Sequence, residues 1–128
     1  MAANEKVLKA LKTAANYLEK SILAFNQKDE ASLSNGLWHV AAELEYALFL
    51  FSITFQNENA VLWKSNPERT DINPTLEEVQ ALLSEAEKLV VDGRLLESYK
   101  NVYVARNYVR KVQEILAKKL REKPKRQN

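Results

Sequence analysis

The chain contains no cysteine. Disulfides, thiolate nucleophiles and cysteine-ligated metals are therefore excluded, and a cytoplasmic location is the expectation. A single histidine, His39, falls short of an ordinary zinc site. A di-iron bundle calls for Glu-x-x-His on two helices, but the residue three before His39 is Gly36. The two glycines, Gly36 and Gly93, are too far apart to build a phosphate-cradling loop or a dinucleotide fingerprint. With only three prolines besides, turn residues are too sparse for a β-sandwich, which turns every ~8–12 residues. Long uncharged apolar runs are also missing. The most apolar stretch, Leu37 to Phe55, carries His39, Glu43 and Glu45, which are costly in lipid. The segment Met1 to Leu11 holds Glu5, Lys6 and Lys9 and no apolar h-region, so no signal peptide is expected. Neither a cofactor nor a membrane partner is expected.

What is present points to helices. A chain of 128 residues, 46% hydrophobic and 28% charged, fits one globular domain. Near this length a domain buries roughly two-thirds of its unfolded surface, enough for a core of its own. Residues 1–122 are assigned to that domain and 123–128 to a frayed basic tail.

Val7, Leu11, Ala14, Leu18, Ile22 and Phe25 recur at three- and four-residue steps, which predicts a helix from about Asn4 to Gln27. Asp29 is the expected N-cap of a second helix, about Glu30 to Phe55, because its carboxylate can accept first-turn N–H groups. Gln56 to Thr75 reads as a long connection, with Ala60 to Trp63 as an extra turn within it. Thr75-Leu76-Glu77-Glu78 fits a capping box opening a third helix, with Asn73-Pro74 as the alternative start. That helix should stop at Asp92-Gly93, where glycine can adopt the left-handed conformation. A fourth runs from about Leu95 to Lys119, with a stripe of Leu95, Tyr99, Val102, Ala105, Val109, Val112 and Leu116. The expected fold is all-α: an antiparallel four-helix bundle of two helical hairpins with a long loop between helices 2 and 3. The hairpins match at an offset of 64, Leu18 on Leu82 and Leu48 on Val112 among others, although shared helical periodicity alone would also produce such matches.

Two constellations stand out. The stretch Ala47 to Phe55 is apolar nearly all round, and a helix apolar on every side must be covered on every side. Phe49, Leu50, Phe51, Ile53 and Phe55 exceed one core-facing stripe, so the helix is either central in the bundle or completed by another copy of the chain. The second constellation is basic. From Arg106 to Asn128 there are nine Lys/Arg against two Asp/Glu, while the rest of the chain carries a net charge of −5. Arg106, Arg110, Lys118 and Arg121 fall roughly on one side of the fourth helix, with Tyr99 and Tyr103 upstream. Arginines can neutralise phosphates and tyrosines can stack bases. The ordinary alternative is that cations gather near a helix C-terminus and tyrosine rings edge a core.

Smaller features have structural readings. Gly36 inside a helix implies close packing against a neighbour. His39 and Glu43 form an i, i+4 pair worth a few tenths of a kcal/mol on a helix surface. Trp38 is expected in the core or at its edge. Trp63 is either a lid over the bundle end or an exposed contact residue.

Tyr17-Leu18-Glu19-Lys20-Ser21-Ile22-Leu23-Ala24 followed by Leu37-Trp38-His39-Val40-Ala41-Ala42-Glu43-Leu44-Glu45-Tyr46-Ala47-Leu48 resembles the first hairpin of the HEPN superfamily of small helical bundles. Leu96 to Ala105 resembles a later helix of the same group. RNase members of that superfamily use an Arg followed shortly by His in a late helix. Arg106 stands in about the right place, but Lys111 and its neighbours supply no His. The resemblance therefore implies a binding or assembly member and not a nuclease. The leading expectation is a non-enzymatic interaction or assembly module, a homodimer that also admits a protein partner. The alternative is an RNA- or nucleotide-binding bundle using the basic face. A third reading places an enzyme site in the long loop.

Overall fold

The computed structural model describes residues 2–55 and 71–122, with side chains over 4–55 and 71–119. Four helices make up these segments: α1 (Ala2–Asn26), α2 (Glu30–Thr54), α3 (Ile72–Val91) and α4 (Leu95–Glu122). The described residues include no strand. The Trp63 and 123–128 assignments fall outside them, as do most of the long connection and the side chain of Arg121.

Each hairpin joint follows from local chemistry. At the end of α1, Lys28 N–H donates to Phe25 O and Asp29 N–H donates to Ala24 O, which forces Lys28 to φ 61°. Asp29 then caps α2, its carboxylate accepting from Ser32 N–H at 3.1 Å. The second joint repeats the pattern. Gly93 N–H donates to Val90 O and Arg94 N–H donates to Leu89 O, with Gly93 at φ 80°. The stop at Asp92-Gly93 thus falls where the sequence placed it.

The start of α3 does not. It begins at Ile72 after Asp71, one turn ahead of the capping box read at Thr75. Thr75 is buried and its hydroxyl donates to Asp71 O at 2.7 Å, so it serves the turn from inside the helix. Pro74 sits in that first turn, where its missing N–H leaves no intrahelical bond unmade.

Packing pairs α1 with α2, α3 with α4, α1 with α3 and α2 with α4. Ring contacts fix directions: Tyr17 lies beside His39, and Phe51 and Phe55 stack on Tyr99 at 5.0 and 5.9 Å. Phe25, Leu33, Ile72 and Leu116 meet at the opposite end. Neighbouring helices are therefore antiparallel around the bundle. α2 ends at the Tyr99 end and α3 begins at the other.

The hairpins correspond at an offset of 65, not 64. The left-handed residues Lys28 and Gly93 are 65 apart. Every buried residue of α1 then falls on a buried residue of α3, from Val7 on Ile72 to Ala24 on Leu89. Along α2, Leu33, Leu37, Val40, Leu44, Ala47 and Phe51 fall on buried Ser98, Val102, Ala105, Val109, Val112 and Leu116. Sequence matching slipped by one because a 3.6-residue period gives near-matches at neighbouring offsets.

Gly36 fills the close contact expected of it. A Cβ there would stand 2.2 Å from Ser21 Oγ, which donates to Tyr17 O at 2.8 Å. Trp38, expected in the core or at its edge, is 62% exposed. Leu37 and Val40 already fill the inward positions around it, and at 100° per residue Trp38 is carried outward.

Candidate functional site

The core stripe of α2 is Leu33, Leu37, Val40, Leu44, Ala47, Leu48 and Phe51. Diametrically opposite runs a second apolar line, Trp38, Ala42, Tyr46, Phe49 and Ile53, within about 80° of arc at 3.6 residues per turn. Four of these are large and open: Trp38 62%, Phe49 58%, Ile53 50% and Tyr46 43% exposed. Scattered surface hydrophobics are normal, but a contiguous ridge marks an interaction surface. The ridge lies on a regular helix held by α1 and α4, so its spacing is fixed by the fold.

Of the residues read from sequence as a self-association set, the structure brings Phe49 and Ile53 to this outer face. Phe51 is buried against Tyr99, and Leu50 and Phe55 are half-buried against the core. The sequence signal for Trp38 and Tyr46 was their spacing with Phe49 and Ile53. It was missed because the inward and outward stripes interleave, so the helix reads as uniformly apolar.

Polar groups flank the ridge. On the α1 side, Lys6, Lys9 and Thr13 share a shallow pocket with Glu43 and Tyr46. Lys20 lies over the Tyr17 ring, which stacks on His39 at 4.4 Å, and His39 meets Trp38 edge-on. On the α4 side, Arg106 Nη1 donates to Glu45 Oε2 at 2.8 Å, and its Nε donates to Asn107 Oδ1 at 2.9 Å. The Arg106 guanidinium also stands 5.1 Å from the Tyr103 ring centre.

These contacts divide the candidate nucleic-acid face. Arg106 is turned toward α2 and paired, and its side chain is 13% exposed. Tyr103 is half-buried against the core, and Tyr99 is buried and stacks on Phe51 and Phe55. Burial raises the Tyr99 phenol above its ordinary pKa. Arg110 and Lys118 remain exposed.

Other places offer less chemistry. A cavity of 450 Å³ at the Phe25–Leu116 end is lined by apolar core ends and by Lys28, Asp29, Glu30 and Lys119 from the surface. Among the described residues, no three His, Asp or Glu side chains gather as metal ligands. Nor, among them, is any helix long and apolar enough to cross a membrane. Comparison with protein-family models, with curated proteins and with solved structures finds no match.

Proposed function

We propose that this chain is a non-enzymatic interaction module that docks through the outer face of α2. One observation carries the reading. In the register of the repeat, Trp38, Ala42, Tyr46, Phe49 and Ile53 correspond to Tyr103, Asn107, Lys111, Glu114 and Lys118 of α4. The two helices hold equivalent places and share six buried positions, yet among the described residues α4 exposes one large hydrophobic, Leu96, against four on α2. The bundle position does not demand that composition, so contact with something outside the bundle is its simplest cause. The HEPN resemblance fits the same proposal. Arg106 pairs with Glu45 and Asn107, and the sole histidine, on α2, stacks on Tyr17 of α1, so an assembly role would suit such a member.

The test replaces the ridge and measures the fold. A Trp38→Gln/Phe49→Gln chain should keep its helicity and unfold within ~0.5 kcal/mol of the parent at low concentration, as exposed substitutions do. A loss of several kcal/mol would mean that the chain itself covers the ridge, and the docking reading would fall.

A further inference from the structure

Resting on that reading, we infer that the occupant of the ridge is the same ridge on a second copy, with the two α2 helices antiparallel about a twofold axis between Glu45 and Tyr46. Four of the five ridge positions pair when residue numbers in the two copies sum to 91, 38 with 53 and 42 with 49, and Tyr46, next to the axis, comes against its own copy. Trp38 then faces Ile53 of the second copy. Ala42, the one small residue of the ridge, faces Phe49 of the second copy. A large side chain opposite a small one is how facing helices interdigitate.

Area supports a pair. Taking roughly 200 Å² for a large side chain, the exposures of Trp38, Tyr46, Phe49 and Ile53 leave on the order of 450 Å² open per copy. Two copies bring about 900 Å² from these side chains alone, close to the ~1,000 Å² expected of a specific interface, and the flanking residues add to it.

Charge agrees. The pairing puts the α1 flank of each copy against the α1 flank of the other. Tyr17 beside His39 sets Lys9 level with Ala47, so Lys9 lies across the axis near Glu43 of the second copy. At the centre, Glu45 is already paired with Arg106, so the charge brought nearest the axis is compensated before it is covered. A nucleic acid along α2 would instead meet Glu43 and Glu45 on a helix that has no Lys or Arg of its own.

A chain without cysteine gives a clean test in full-length protein. Sedimentation from ~1 to ~100 µM, spanning a typical micromolar dissociation constant, should show a species of twice the 14.7 kDa chain mass. Phe49→Asp should sediment as monomer with unchanged helicity. Under mild oxidation Tyr46→Cys should form a disulfide dimer. Ala42→Cys should not, because its own copy lies seven residues, ~10 Å, along the axis. An equimolar mixture of Ala42→Cys and Phe49→Cys should give the mixed disulfide. Parent protein monomeric at ~100 µM overturns the self-pairing. Should such a monomer tolerate Phe49→Asp without loss of stability, docking stands and the partner is another protein; should it lose stability, residues of the chain itself cover the ridge and both readings fall. Efficient self-crosslinking of Ala42→Cys, or failure of both Tyr46→Cys and the mixture, overturns the register.

Discussion

α2 and α4 occupy equivalent places in one bundle and differ on the side turned away from it. Inward, six buried positions of α2 fall on buried positions of α4, from Leu33 on Ser98 to Phe51 on Leu116. Outward, α2 shows Trp38, Tyr46, Phe49 and Ile53 where α4 shows Tyr103, Lys111, Glu114 and Lys118. The inward likeness reports what a four-helix core demands, namely side chains that fill space at helical intervals. The outward difference reports what the core does not demand. In a repeated architecture one half thus serves as a control for the other.

The sharpest way to break this comparison lies within α2. Phe49 and Phe51 are two residues apart, one exposed and one buried against Tyr99. Phe51→Ala should cost ~3–5 kcal/mol of unfolding free energy, and Phe49→Ala should stay within ~0.5 kcal/mol in the monomer. Urea unfolding at low protein concentration measures both. Equal losses would erase the distinction between the faces.

The next effect separates the two hairpins. Gly36 packs against Ser21, and their counterparts are Asn101 and Ala86. Gly36→Ala should displace the Ser21 hydroxyl from Tyr17 O and crowd the α1–α2 contact. The crowding costs ~1–3 kcal/mol and outweighs the ~1 kcal/mol that alanine gains in a helix, for a net loss of about 1 kcal/mol. In a Ser21→Ala background the same change should instead stabilise, by up to ~1 kcal/mol. A sign that does not reverse in the double-mutant cycle contradicts the contact.

Comparable but smaller changes are expected at the two joints. Lys28 bears a side chain at φ 61° where the second joint has Gly93 at φ 80°. Lys28→Gly should therefore stabilise and Gly93→Ala destabilise, each by ~1 kcal/mol or somewhat less. Opposite shifts in melting temperature would register this.

The smallest effect is in acid. Hydrogen bonds from the Ser32 side chain and backbone hold the Asp29 carboxyl below its usual 3.8. A depressed folded pKa means stability that is present above the unfolded pKa and lost as pH falls through the folded value. The melting temperature of the parent should thus drop more between pH 5 and pH 2.5 than that of Asp29→Asn. Arg94 holds the matching place in the second joint, paired with Glu97, and supplies no carboxylate cap.

The helices were legible because their apolar residues repeat every three or four positions, and the hairpin stops because Asp29 and Gly93 have chemistry of their own. The α3 start was not. Thr75 has capping chemistry in sequence, but burial turned its hydroxyl inward, and burial is set by the partner helices. The excess of apolar residues on α2 was legible as an amount and not as a direction. Phe49 and Phe51 look alike in a list of residues, and only their angular position around α2 sends one to the core and the other outward. The basic side of α4 was legible as charge, while the pairing of Arg106 depends on Glu45, 61 residues away in sequence.

Trp38 gives the most direct measurement of whether the outer face of α2 is left for another chain. With Trp63 replaced by phenylalanine, Trp38 is the only tryptophan, and its quenching by acrylamide can be followed from ~0.1 to ~100 µM protein, either side of a typical micromolar dissociation constant. The ring should be open and readily quenched at the lowest concentration and become shielded as the chains associate. A ring equally shielded at every dilution would contradict this.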